Sequence, residues 1–247
     1  MQDKVIIEKV YKLMALHRAG ALGGETMPED AHPHLPRNSK ENYAYFTLPM
    51  ALNYQRNSYK LWEAARKSFD DPETSCIFDP AHVVRISDGE LRAFLSKHRV
   101  ALQPNKHTQI WRTISKTIMH RLSGDLRSLF IENDADVKLI KGYVSAHKKD
   151  FPYLSGSKIL NYWLYVVEQY TDAELKNRDF ITIAPDTHVI QSSVKLGVIT
   201  AREASELKSR DVLADKWRLL LENEKLSPID VHTPLWLWSR GGFKQDI

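Results

Sequence analysis

Apolar residues recur along this chain at spacings of three and four, the period that puts them on one face of a helix. Val5, Ile6, Val10, Leu13, Met14 and Leu16 predict a first helix over Val5 to Leu16. Glycines at 20, 23 and 24 and prolines at 28, 33 and 36 then interrupt regular structure, so residues 19–38 are expected to form a long loop. Ser39 is placed to cap a helix through Asn53, and Trp62, Ala65 and Phe69 mark another helical face after Asn57 and Ser58. Residues 71–85, with two prolines and the short run Val83-Val84, read as a loop or an isolated strand. Ser87 to Glu90 opens a helix carrying Leu91, Phe94 and Leu95; Pro104-Asn105-Lys106 opens another with Ile110, Trp111, Ile114, Ile118 and Leu122.

The second half continues the pattern. Asp134 or Ala135 is expected to begin a helix through Val137, Ile140, Tyr143 and Val144 that ends near residues 148–150, where Phe151-Pro152 stops it. Gly156 permits a close turn, and Ile159, Leu160, Trp163, Leu164 and Val167 form the next apolar face, completing a helical hairpin over residues 135–170. Asp186 follows Pro185 as the N-cap of a helix over Thr187 to Leu196 that Gly197 stops. Further helices are expected at Thr200 to Leu207, Val212 to Leu221 and Pro228 to Trp238, and no period-two strand series appears. The fold class is all-α.

Composition narrows the chemistry. The 247 residues, 43% hydrophobic and 27% charged, suffice for one sizeable core or two small lobes. Cys76 is the only cysteine, which excludes a disulfide framework and a cysteine-ligated zinc or iron–sulfur site and fits a reducing cytoplasm. There is no HExxH motif among the ten histidines, so no metal or other cofactor is expected; His32 and His34 in the proline-rich loop read as surface residues. Charged residues break the first twenty positions, which therefore do not form a signal peptide, and no apolar run has the length of a bilayer span. Net charge is +4, but residues 85–149 alone carry 13 Lys/Arg against 6 Asp/Glu. That basic stretch, with Lys106, Arg112, Lys148 and Lys149, is a candidate track for a nucleic-acid backbone.

Two segments stand out as candidate chemistry. Gly156-Ser157-Lys158 puts an amine at one helix start, and Asp186 puts a carboxylate at another, so a groove flanked by both would suit chemistry on DNA. Helix starts carry unpaired N–H donors, which also suit a phosphate at the hairpin. Gln55, in Leu52-Asn53-Tyr54-Gln55, is either a polar group facing a pocket or an exposed helix-end residue. His188 either orients Asp186 or packs beneath it.

Gly156-Ser157-Lys158, followed by Asp186-Thr187-His188-Val189 and Leu196-Gly197, resembles the helix-hairpin-helix DNA glycosylase superfamily, whose members show a hairpin written Leu-Pro-Gly-Val-Gly-x-Lys and then Val-Asp-Thr-His-Val. Leu52-Asn53-Tyr54-Gln55 looks like that family's early glutamine segment, and Asn105-Lys106 like the basic start of a middle helix. The hairpin here has one residue more between proline and lysine and one glycine fewer. No cysteine cluster follows the aspartate, which sets the chain apart from the iron–sulfur branch. Archaeal oxidised-guanine glycosylases are similar in their long lysine-to-aspartate interval and in a final helix like Ser227 to Trp236, while phage modified-base proteins form a second divergent branch.

The resemblance implies a two-lobed glycosylase unit over residues 1–247, acting as a monomer on duplex DNA without a membrane. It implies excision of a flipped base, with Asp186 as the carboxylate that stabilises charge on the sugar. Lys158 matches the family's lysine, either as the amine nucleophile of a combined glycosylase and lyase or as a phosphate contact with water attacking. Gln55 would lie near the flipped nucleotide and Trp236 or Trp238 at the base pocket. Other roles consistent with the resemblance are DNA binding without catalysis and action on hypermodified phage bases, by base modification or in antiviral defence.

Overall fold

The structure, a computed structural model, describes residues 2–23, 27–206 and 210–247. Among them it is helical throughout, without strands; a single isolated bridge pairs Asp136 with Lys176. The helices in chain order are α1 (Gln2–Arg18), α2 (Lys40–Thr47), α3 (Ser58–Asp70), α4 (Pro80–Val83), α5 (Asp88–Lys97), α6 (Pro104–Arg121) and α7 (Arg127–Glu132). They continue as α8 (Val137–Ala146), α9 (Ser157–Tyr170), α10 (Thr187–Leu196), α11 (Ala201–Ser205), α12 (Arg210–Leu221) and α13 (His232–Arg240). They pack as two compact units: a central one over Thr26–Lys176, and a terminal one built from Met1–Glu25 and Asn177–Ile247.

Local signals account for most boundaries. Ser39 accepts a bond from the Asn42 N–H, Asn57 from Lys60, and Ser87 and Glu90 close a reciprocal capping box at α5. α2 ends at Thr47 and not at Asn53, because Pro49 has no N–H to continue the ladder; a 3-10 turn over Met50–Leu52 follows. α8 starts two or three residues later than expected, at Val137, since Asp134 and Ala135 take left-handed backbone angles and Asp136 supplies the cap. Residues 71–85 hold no strand: a 3-10 turn over Ser75–Phe78 leads to α4, which packs on α6 and buries Val83. The last predicted helix divides into a 3-10 turn, Pro228–Val231, and α13. The expected helix from Thr200 is α11, with Thr200 and Glu203 as its capping box; Leu207 lies outside the described residues.

In the central unit Trp62, Trp111 and Trp163 are fully buried, and each indole N–H has a partner: Glu29 Oε1 at 2.9 Å, the Ile77 carbonyl at 2.8 Å and Thr47 Oγ1 at 2.9 Å. The proline-rich segment expected as a plain loop carries a 3-10 turn, Pro28–Asp30, that buries the Glu29 side chain against α3 and α9. Residues 24–26 of that segment lie outside the described residues. His32 is not a free surface residue, since its ring packs against Phe46 and Tyr170.

In the terminal unit α1 buries Ile6, Val10 and Leu13 on one stripe. α10 packs on α13, where Ser192 Oγ donates to the Leu235 carbonyl at 2.7 Å. Trp217 on α12 donates to Ser193 Oγ at 2.9 Å. Gly197 ends α10 with a left-handed angle, φ +87°, that a side chain would resist.

Candidate nucleic-acid interface

Three segments far apart in sequence meet on the central unit. The bend after Asn53 presents Tyr54 and Gln55, and Arg56 holds it by donating to the Val100 carbonyl at 2.6 Å. The start of α6 presents Lys106, and the connection between α8 and α9 presents Tyr153. The Tyr54 and Tyr153 ring centroids are 5.4 Å apart, and Lys106 Nζ lies 4.8 Å from the Tyr153 ring centroid. Next to Lys106, His107 Nδ1 accepts the Leu102 N–H at 3.2 Å; burial and then the charges of Arg56 and Lys106 push its imidazole down to about 4, so it stays neutral and can accept that bond.

The connection between α8 and α9, residues 147–156, is long, and its centre is pinned. Phe151 and Leu154 are fully buried, Thr117 Oγ1 donates to the Asp150 carbonyl at 2.8 Å, and Arg121 pairs with the Asp150 carboxylate at 2.9 Å. What remains outside is polar: Lys148, Lys149, Gly156, Ser157 and Lys158 are all exposed. The left-handed residue of the turn is Tyr153, φ +61°, and not Gly156, whose φ of −69° any residue adopts. Glycine at 156 is explained by room, because a Cβ there would come within 3.2 Å of the Tyr153 carbonyl oxygen. No side-chain cap bond closes the start of α9 at Gly156, so its first turn has N–H groups without an intrahelical partner or a capping carboxylate or hydroxyl.

The basic stretch divides into two kinds of residue. Arg112, expected on the phosphate track, is engaged inside the protein: its side chain is only 13% exposed, and it donates to the carbonyls of Val83 at 2.6 Å and Ile86 at 2.9 Å. Its Nε lies 2.6 Å from Asp88 Oδ1, an ionic contact off the direction of the N–H. Arg121 and Arg127 are likewise paired, with Asp150 and Asp125. The side-chain amines of Lys148, Lys149 and Lys158 make no hydrogen bond or ion pair among the described residues, and that of Lys106 lies over the Tyr153 ring. Lys141, which sequence reasoning missed, reaches Asn161 Oδ1 at 3.0 Å and links α8 to α9; burial lowers its ammonium pKa. No periodicity signals that link, because Lys141 and Asn161 lie on different helices.

Asp186 is in the terminal unit. Its Oδ1 accepts the Val189 N–H at 3.0 Å as the cap of α10, and the residue is half-buried. His188 does not bond Asp186: its Nδ1 lies 3.1 Å from Ser239 Oγ, which donates to Gln191 Oε1 at 2.7 Å. Trp236 is half-buried between the His188 ring, 5.7 Å away, and the Arg240 guanidinium, 4.8 Å from its centroid. Trp238 is a packing residue of the core, its N–H spent on the Gln245 carbonyl at 2.9 Å and its ring edge-on to Phe243, which removes it as a base-stacking surface. Among the described residues no group of histidine, cysteine and carboxylate side chains could hold a metal ion, and no helix is long and apolar enough to cross a membrane.

The all-α class is thus established from the fold, and no narrower class follows from comparison. No family model matches the chain, and no curated protein is detectably similar to it.

Proposed function

We propose that the protein binds DNA through the central-unit face around Lys106, Tyr153 and the start of α9, and excises a damaged or modified base as a DNA glycosylase. The observation that carries this reading is the convergence of Tyr54, Lys106 and Tyr153, since the early glutamine segment, the basic helix start and the hairpin turn meet in one place. The uncapped start of α9 supplies N–H donors for a backbone phosphate, and Lys148, Lys149 and Lys158 supply exposed cations. Asp186 is the carboxylate assigned to the sugar. A glycosidic bond breaks with positive charge building on the deoxyribose, and a fixed anion lowers that barrier. Gln55 is exposed beside Tyr54, and in the terminal unit Trp236 is only half-buried, which supports the assignment of each, taken by itself, to base contact.

Lys158 is exposed and its side-chain amine makes no hydrogen bond or ion pair among the described residues, which suits a phosphate contact and favours water as the nucleophile. The same exposure favours a second reading, a DNA-binding module without catalysis. Duplexes and single strands bearing oxidised guanine, alkylated bases and glucosylated hydroxymethylcytosine separate these. The glycosylase reading expects abasic product on one of them, and borohydride trapping without a covalent adduct identifies water as the attacking group. An adduct lost in Lys158→Ala overturns that part of the reading. An altered base retained in the strand opposes excision, and binding without product on any base favours the module.

A further inference from the structure

Tyr54 is 52% exposed, open for so large a ring, and its aromatic neighbour is a second tyrosine, Tyr153. Tyr153 holds that position in the left-handed region, which costs a side-chain-bearing residue energy and is normally given to glycine or asparagine. Gln55, directly after Tyr54, has the same kind of backbone, φ +49°. Two unfavourable backbone positions therefore flank the contact that links Tyr54 to Tyr153, and Tyr153 in turn contacts the Lys106 amine. Ring, ring and cation are joined at the surface, next to a turn whose other exposed residues include Lys148, Lys149 and Lys158.

From this cluster we infer that Tyr54 is a stacking platform for one unpaired nucleobase of single-stranded DNA, with Tyr153 as its support and Lys106 as the contact to the adjoining phosphate. The inference rests on the DNA reading above. It adds that the face selects unstacked bases over intact duplex. A base has an apolar face of the size of a tyrosine ring and a phosphate on each side, so an exposed ring beside a cation matches both parts of a nucleotide. In paired duplex the base faces are covered by their neighbours and only the phosphates remain within reach of this surface. Lysines alone would not discriminate between the two forms; the ring does.

The test uses the full chain and an oligonucleotide of about 12 nucleotides carrying one 2-aminopurine, single-stranded or in a matched duplex. Binding of the single strand is expected to quench 2-aminopurine fluorescence and to be tighter than binding of the duplex. Tyr54→Ala should lose about five- to 150-fold in single-strand affinity, with less than about a twofold change for duplex. Tyr153→Asn, which relieves the backbone and deletes the ring, should move affinity the same way while keeping the circular dichroism spectrum and melting temperature of the wild type. Lys106→Gln should reduce the single-strand salt slope by about 0.7. Salt-sensitive duplex binding with no quenching, or Tyr54→Ala binding the single strand like wild type, overturns the stacking inference and leaves the DNA reading standing. Failure to bind either form overturns both.

Discussion

Two helix starts in this molecule solve the same problem in opposite ways. α9 begins at Gly156 with no side chain over its first turn, and α10 begins at Asp186, whose carboxylate accepts the Val189 N–H. Each has first-turn donors that lack intrahelical partners. At α9 no capping side chain accepts from those donors, and exposed lysines stand nearby; at α10 the protein supplies its own anion and holds it in a set orientation. The first arrangement suits a phosphate, the second a sugar that becomes positive as its base departs. A lysine near a helix start and an aspartate near another thus carry different meanings, and the difference lies in what caps the helix.

The largest effect should come from a residue of the basic stretch that is spent inside the protein, tying α6 to α4 and the residues after it. Arg112→Ala is expected to lower stability by about 2–3 kcal/mol, since it orphans the Val83 and Ile86 carbonyls and an ionic contact, yet to leave the salt dependence of DNA binding unchanged. Urea denaturation and a salt titration check the two halves; a smaller salt slope would return Arg112 to the interface.

A second carboxylate, Glu29, sharpens the contrast with Asp186. It is 1% exposed, accepts from Trp62 at 2.9 Å and Tyr162 at 3.1 Å, and burial, with a smaller push from Asp30, raises its carboxyl to about 7. A raised folded-state pKa contributes stability that is full below the unfolded value near 4.5 and is lost as pH climbs through about 7. Wild type should therefore lose on the order of 2 kcal/mol relative to Glu29→Gln between about pH 5 and pH 8. Parallel urea curves at the two pH values would contradict the assignment if the difference between the proteins stayed constant.

Giving α9 the cap of α10 tests the comparison directly. Gly156→Asp should weaken DNA binding by about tenfold, or about 1.4 kcal/mol, because the new carboxylate occupies the donors and repels phosphate. Its Cβ is tight against the Tyr153 carbonyl, so Gly156→Ala serves as the control and should bind within about threefold of wild type. Equal affinities for all three proteins would remove α9 from the interface. The smallest effect is the cap itself: Asp186→Ala should cost about 1 kcal/mol in stability, and Asp186→Asn much less, since asparagine also caps. Thermal melts distinguish them.

Much of this was legible in the sequence where the cause is local. Ser87 with Glu90, Thr200 with Glu203, Pro104 at the start of α6 and Asp186 at the start of α10 each act within one turn, and each boundary follows from its own residues. What the sequence hid depends on partners far along the chain. Arg112 looks like any solvated arginine until α4 and the residues after it bring two carbonyls to it, and Trp238 looks like Trp236 until Gln245 takes its N–H. Glu29 sits among prolines that signal a loop, while its burial is decided by Trp62 and Tyr162. Tyr153 contacts a tyrosine 99 positions away in the chain, as no periodicity could signal. Gly156 was readable as the residue that permits a close turn, and it does make room for the Tyr153 carbonyl, while nothing local signalled that Tyr153 bears the unusual angle.

The decisive measurement is single-turnover base excision by wild type and Asp186→Asn on the damaged and modified bases, with DNA affinity measured in parallel. Asparagine keeps the cap of α10 and removes the charge, so folding and binding should stay within about twofold of wild type while excision falls by about a hundredfold or more. Abasic product formed at the same rate by both proteins, or by neither on any base, would contradict the glycosylase account.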